Sequence, residues 1–357
     1  MNFTSHPQLS INKTALVENW RTFCKIAPNS DITAVVKSDA YGLGAQEISK
    51  ALYQGGCRIF FCATVPECLE ILQVLPKDDD SLEIATFGGF FLEEMLDYQS
   101  DNRLVPVLNT KQQIQDWRNS PRLHNREAYV HIDTGINRLG IRYDHWDAVH
   151  SLLDFPIRAL ISHLATADED TDFANIQLQR FLPCKDYPRS LSNTAGAFLG
   201  EKFHLNMLRL GIGLYGVNTA PPQGIDLHPA LSLDAPILQI RHVLEGETVG
   251  YGQTYRAKTA RRMATVGIGY NDGLPRDLSN HQSFFGWWQG SRLEICGRIS
   301  MDSLVLDITD HPEIHETSRI SFLNSTQAID DLAKACNTIP HEALTRLGGR
   351  IERMYTE

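Results

Sequence analysis

The feature that most constrains this 357-residue chain is an alternation. Short apolar, β-branched runs at 32–36, 58–62, 82–86, 104–107, 128–132, 157–162, 189–192 and 205–210 are separated by segments of helical period, among them 66–75, 91–98, 110–118, 145–153 and 173–182. Eight strand patterns alternating with helices over some two hundred residues predict a closed parallel barrel rather than an open sheet. A first helix is expected over 11–23, with a cap near Asn12, and another after the first strand, where Ala45, Ile48 and Leu52 lead to a Gly55-Gly56 stop. Near residue 230 the period changes to two, at 236–240, 263–268, 293–295, 303–308 and 319–323, followed by helical patterns at 326–336 and 340–346. The expected architecture is an N-terminal (β/α)8 barrel of TIM type over 1–230 and a β-rich C-terminal domain over 231–357, with the linker-like Ala220-Pro221-Pro222-Gln223-Gly224 before the boundary.

In such a barrel the carboxyl ends of the strands carry the chemistry. Lys37 ends the first strand and is followed by Ser38-Asp39-Ala40-Tyr41-Gly42-Leu43-Gly44. A lysine held there is either a solvated loop residue or a partly desolvated amine. As an amine it suits pyridoxal phosphate, which needs a Schiff-base lysine, a phosphate cradle and a group facing its ring nitrogen. Further polar clusters at later strand ends weigh toward a site: Asp133 to Gly140, His163 to Glu169, Ser192-Asn193-Thr194, and Arg209 to Gly216. The second domain contributes tyrosines flanked by glycine, at 250–255 and 269–273, and the stretch 297–302. These read equally as turn aromatics.

A net charge of -10 gives no basic surface for nucleic acid or an anionic membrane. Residues 1–10 lack the basic flank and apolar core of a leader, and no apolar run reaches membrane-spanning length, so a cytoplasmic protein is expected. Seven cysteines without a zinc spacing read as reduced, mostly buried side chains, and no metal site is expected.

The stretch Val36-Lys37-Ser38-Asp39-Ala40-Tyr41-Gly42-Leu43-Gly44 resembles the pyridoxal phosphate signature of bacterial alanine racemases, and the other clusters recur in that family's order along nearly the whole chain. The resemblance implies that Lys37 carries the cofactor. It implies that Tyr41, Thr194, the backbone of Gly211 and Ile212, and Tyr355 bind its phosphate. Arg209 would face the ring nitrogen, His163 would lie beside the ring, and Arg138 would reach the phenolic oxygen and the substrate carboxylate. Tyr251 matches the catalytic tyrosine, Tyr270 an entrance tyrosine and Met301 a residue whose backbone meets substrate, all three supplied by the neighbouring subunit of a homodimer. The implied reaction interconverts L-alanine and D-alanine with two bases, Lys37 for the D-isomer and Tyr251 for the L-isomer, and supplies D-alanine for peptidoglycan. A phenol titrates near pH 10, so a tyrosine base needs cationic surroundings, which a His163 to Arg209 hydrogen-bond chain would provide. An arginine facing the ring nitrogen would keep that nitrogen unprotonated.

Two positions depart from the family. His131 stands where many members have a lysine that becomes carbamylated and orients the site arginine, so Arg138 must be held otherwise, for example by a bound chloride or by Asp133. Leu43 replaces a histidine in the Tyr-Gly-x-Gly loop. The competing readings are a racemase of another small amino acid such as serine, a decarboxylase of the same fold, a non-catalytic pyridoxal phosphate-binding protein, and a metal-dependent barrel hydrolase. Arg209 speaks against the decarboxylase, and the second domain speaks against the carrier.

Overall fold

A computed structural model describes residues 6–217 and 222–357. The first five residues of the leader reading and Ala220 and Pro221 of the linker reading lie outside the described residues. The chain divides into two compact units, one of Ala15–Ala40 and Gly44–His228, the other of Met1–Thr14, Tyr41–Leu43 and Pro229–Glu357.

In the first unit, eight strands among the described residues close a parallel barrel: β2 (Asp31–Val35), β3 (Ile59–Cys62), β4 (Glu83–Thr86), β5 (Leu104–Leu108), β6 (Ala128–Asp133), β8 (Ile157–Ile161), β9 (Arg189–Ser190) and β10 (Met207–Leu210), with β10 returning to β2. A two-residue strand, β7 (Ile141–Arg142), adds a parallel pairing to β6. The helices between them begin where the sequence supplies a cap: Thr64 for Val65–Leu72, Thr110 for Lys111–Asn119 and Asp170 for Thr171–Phe181 each accept a backbone N–H. Side chains alternate in and out along each strand, and Val35, Phe61, Ala85, Val107, Tyr129, Ile161 and Met207 belong to one buried apolar cluster inside the barrel. Two residues further along, the same alternation aims Lys37, Ala63, Phe87, Asn109, His131, His163 and Arg209 into the carboxyl mouth. The period of two thus assembles the candidate site from seven of the eight strands, Ala63 of β3 leaving it room.

The second unit is built on the long strand β11 (Leu231–Val243), which pairs antiparallel with β1 (Gln8–Asn12), β14 (Arg261–Val266) and β18 (Arg319–Leu323). β1 also pairs in parallel with β19 (Glu352–Thr356). The helix expected over 11–23 therefore begins later, at Lys13–Ile26, because Ile11 and Asn12 are drawn into this sheet. The strand expected from 205 begins at Met207, Leu205 being left-handed at φ 50°.

The turn after Lys37 is left-handed. Ser38, Asp39, Ala40 and Tyr41 have φ between 51° and 61°, and Gly42 has 82°. For residues with a Cβ this costs about 1–2 kcal/mol each, so the surroundings must enforce it. Glu67 accepts from the Ser38 N–H at 2.9 Å and from the Ala63 N–H at 2.7 Å, while the Asp39 carboxylate accepts from the Ala45 N–H at 2.7 Å. In the other unit Arg353 Nε donates to the Gly42 carbonyl at 3.0 Å, while its Nη1 and Nη2 donate to the carbonyls of Gly348, Ile351 and Leu347. Chain direction at Lys37 is thereby fixed from both sides of the turn.

Candidate active site

The barrel mouth is rich in positive charge. Arg209 is 3% exposed and meets no carboxylate among the described residues. Its Nη1 donates to Ser190 Oγ at 2.5 Å, and Nη2 donates to the Ser162 carbonyl and faces His163 Nδ1 at 3.5 Å. Burial pushes its guanidinium down to about 10, so it stays protonated at neutral pH. Its Nε is buried without a partner among the described residues. A fixed cationic donor of this kind suits a ligand that brings an acceptor nitrogen.

Lys37 is half-buried, its Nζ 5.7 Å from the centre of the Phe87 ring. Burial, and next the charge of Arg138, lower its pKa. The amine is thereby eased toward the nucleophilic form. His163 is held well below its ordinary pKa by burial and by Arg209, so it is a neutral ring beside a cation.

His131 is 7% exposed and oriented by Asn109. The Asn109 amide donates to the carbonyls of Phe87 at 2.8 Å and Val107 at 3.1 Å, so its oxygen faces His131 Nδ1 at 2.8 Å and that nitrogen carries the proton. Burial, then Arg209, pushes the His131 pKa down to about 4. The loop 134–140 folds back over this ring: a Cβ on Gly140, at φ 99°, would come 2.9 Å from His131 Cγ. Arg138 sits on that loop, exposed, with no hydrogen bond or ion pair among the described residues. Asp133 does not hold it. The Asp133 carboxylate accepts instead from the N–H groups of Gly135 at 2.9 Å and Asn137 at 3.2 Å, shaping the loop.

Thr194 and the segment after β10 form a polar cradle. Thr194 Oγ1 accepts from the N–H groups of Gly211 at 3.3 Å and Gly213 at 3.2 Å, which fills its lone pairs and leaves its O–H to donate. Ile212 is buried between these two. Gly213 has to be glycine because a Cβ there would collide with the Thr194 methyl.

In the second unit Tyr41 is 6% exposed, its ring 5.9 Å from that of His341, and burial raises its phenol well above the usual range. Tyr355 donates to the Leu43 carbonyl at 2.9 Å. Tyr251, Tyr270 and Met301 are exposed, at 68%, 43% and 54%, on loops that are nonetheless tied down. Tyr270 and Asn271 N–H groups donate to the Ser300 and Met301 carbonyls at 3.1 Å. Fully buried Asp272 pairs with Arg350 at 2.5 Å, and Arg350 also reaches Asp302 at 2.5 Å. Glycines at 250 and 252, both at φ 72°, bring the Tyr251 turn against Arg298.

Of the residues predicted from sequence, Lys37, His163, Arg209, Thr194, Gly211 and Ile212 line the barrel mouth or its rim, Arg138 overhangs it, and Tyr41, Tyr355, Tyr251, Tyr270 and Met301 belong to the second unit. Asn109, Glu67, Ser190 and Arg353 were missed. Asn109 alone had a signal, standing two residues beyond inward-facing Val107.

A parallel eight-stranded barrel with a lysine of lowered pKa at its mouth, joined to a β-rich unit, defines a two-domain barrel protein. Its sequence matches the family descriptions "Alanine racemase, N-terminal domain" over residues 11–219 and "Alanine racemase, C-terminal domain" over 230–355. The chain belongs to the alanine racemase family. It is 39% identical to an alanine racemase of Acidiphilium cryptum, covering 98% of this chain and 99% of that protein, and 36% identical to a catabolic alanine racemase of Agrobacterium fabrum, covering 98% and 92%. Among solved structures it superposes on alanine racemase from Bartonella henselae, which has covalently bound pyridoxal phosphate, with a TM-score of 0.89 at 32% identity over 99% of this chain and 100% of that one. The biosynthetic alanine racemase of Pseudomonas aeruginosa gives 0.88 at 30% identity over 99% and 100%.

Proposed function

We propose that this chain is a pyridoxal phosphate-dependent racemase that interconverts L-alanine and D-alanine as a cytoplasmic homodimer, supplying D-alanine for peptidoglycan. The observation that carries the reading is the barrel mouth itself: an amine with a lowered pKa at Lys37 facing the same opening as Arg209, whose buried Nε lacks a partner. That donor fits the ring nitrogen of pyridoxal phosphate, and the Thr194 hydroxyl, with both lone pairs filled, fits its phosphate.

In this reading Lys37 holds the cofactor, Arg209 faces its ring nitrogen and His163 lies beside the ring. Tyr41, Thr194, the backbone of Gly211 and Ile212, and Tyr355 serve the phosphate. Pyridoxal phosphate bound there would supply an electron sink that makes the substrate Cα–H acidic. Arg209 remains protonated, donates to the ring nitrogen and so leaves it without a proton of its own, which limits the sink and disfavours side reactions. Arg138 orients the substrate carboxylate. Lys37 Nζ removes the Cα proton of D-alanine and returns it to that face, and the Tyr251 oxygen does the same for L-alanine on the opposite face.

The N-terminal domain, 1–230, which contains the barrel, binds the cofactor, and the C-terminal domain, 231–357, completes the site of the partner subunit. The exposure of Tyr251, Tyr270 and Met301 on loops held by internal hydrogen bonds supports this, since it pre-forms a surface for a second copy to cover.

The test is an absorbance spectrum followed by polarimetry with L-alanine and L-serine. A visible band removed by borohydride, with faster loss of rotation on alanine, is the expected result. A band with faster loss on serine would move the substrate, a band with no loss of rotation would make the chain a binder or a decarboxylase, and no band would refute the assignment of Lys37.

A further inference from the structure

The Nε2 atom of His131 is a buried acceptor without a partner among the described residues. Its role follows from its neighbours. Asn109 fixes the proton on Nδ1, so Nε2 presents a lone pair. The ring stays neutral at working pH because burial, and next the charge of Arg209, push its pKa down to about 4. A buried lone pair beside two cations calls for a donor. Arg209 bonds Ser190 and the Ser162 carbonyl, and its remaining buried donor, Nε, is the one assigned to the cofactor's ring nitrogen. Arg138 is uncommitted: it is exposed, its five donors are unused among the described residues, and it rides on the loop that Gly140 presses against the His131 ring. The carboxylate that could have taken it, Asp133, is engaged with the N–H groups of its own loop.

We propose that His131 is a positioning residue whose Nε2 accepts a hydrogen bond from the Arg138 guanidinium and so seats Arg138 over the carboxylate of the substrate. The inference rests on the assignment of Arg138 to that carboxylate. A neutral acceptor fixes the guanidinium without cancelling its charge, so Arg138 keeps its full attraction for the substrate and continues to depress the pKa of Lys37. An anion in the same place would orient Arg138 and weaken both effects.

The experiment is a double-mutant cycle on the cofactor-loaded enzyme with His131→Phe, His131→Gln, Arg138→Ala and the double variant His131→Phe/Arg138→Ala. It reads kcat and KM for L-alanine, the calorimetric Kd of propionate, which carries the carboxylate without the amine, and the 15N shifts of labelled histidine. His131→Phe is expected to raise KM and the propionate Kd about tenfold while kcat changes about twofold at most, the loss of one hydrogen bond to a charged group. His131→Gln, which offers an amide oxygen at similar reach, should recover most of that loss. On top of Arg138→Ala, His131→Phe should add less than about twofold. The shifts should place the His131 proton on Nδ1. A full tenfold effect of His131→Phe in the Arg138→Ala background would overturn the inference, as would a loss of kcat or cofactor content with KM and Kd unchanged. A proton found on Nε2 would overturn it as well. If Arg138→Ala alone leaves KM and the propionate Kd unchanged, the assignment of Arg138 fails, and the inference falls with it.

Discussion

Replacing Arg209 by methionine should leave the fold about as stable as before while removing the activity. The guanidinium is buried without a carboxylate, and its pKa falls from 12.5 to about 10, so burial disfavours the charged form by about 3 kcal/mol. That penalty is present at every pH below about 10, where the group is protonated. A methionine of similar length removes it and leaves no stranded counter-charge, unlike the breaking of a buried ion pair. Against this stand the lost bonds to Ser190 Oγ and the Ser162 carbonyl. Ser190 still donates to the Met207 carbonyl, so the uncompensated loss is concentrated at Ser162 and amounts to about 2 kcal/mol. The two effects nearly cancel. The thermal midpoint of cofactor-free Arg209→Met should lie within about 3 °C of the parent protein, while racemisation by polarimetry should fall at least about a hundredfold. A midpoint lower by about 10 °C would refute the reasoning, because Arg209 would then be holding the barrel together rather than being retained for its chemistry.

Other perturbations separate the roles of neighbouring residues. Lys37→Ala should abolish racemisation in both directions and the borohydride-sensitive band, and a retained band would show that another group carries the cofactor. Tyr251→Ala should leave the cofactor spectrum intact and mainly disable proton removal from L-alanine, so unchanged solvent-deuterium incorporation starting from L-alanine would sink the two-base assignment. Gly213→Ala forces a methyl into Thr194 and should cost about 1–3 kcal/mol of overpacking, read as weaker phosphate binding by cofactor titration. Depression of the His131 pKa from 6.5 to about 4 means that the folded state binds its proton more weakly than the unfolded chain. Its contribution is therefore fully present above about pH 6.5 and is lost as pH falls toward 4, so denaturation midpoints of His131→Phe should vary less over that window than those of the parent.

The barrel was legible because an eight-fold alternation has few solutions, and the strand patterns coincide with β2 to β10 to within a few residues. The terminal strands were not. β1 and β19 are short, and each is explained only by pairing with the other across the length of the chain, as Ile11 with Tyr355. The left-handed turn was equally hidden, because Ser38-Asp39-Ala40-Tyr41 carries no glycine, and its cause lies in Glu67 and Arg353, far away in sequence. At the site, residue types announced Lys37 and Arg209. What surrounds them, the Asn109 amide that sets the His131 tautomer and the serines that hold Arg209, consists of ordinary polar residues that acquire meaning only through the barrel's closure. The suggestion that Asp133 holds Arg138 failed for a local reason: an aspartate at the start of a tight loop meets its own backbone N–H groups first.

The distribution of protons in the barrel mouth limits which groups there can take part in turnover. Lys37, Arg138 and Arg209 bring three cationic side chains to one opening, in a chain whose net charge is -10. The acids nearest them are turned to backbone N–H groups, Asp133 to its loop and Glu67 to Ser38 and Ala63. Such a mouth attracts anions, a phosphate and a carboxylate alike. Burial first, and then the charge of Arg209, also suppress further positive charge, so His131 and His163 are both neutral although each is a reasonable base by residue type. Arg209, at about 10, does not release its proton near neutrality. Lys37, by contrast, has its pKa lowered by burial and by Arg138, which eases the loss of its proton. The proposed racemisation, which moves a proton on both faces of one carbon, then needs its second base from outside the barrel, and Tyr251 on its exposed, pre-tied loop is the residue proposed for it.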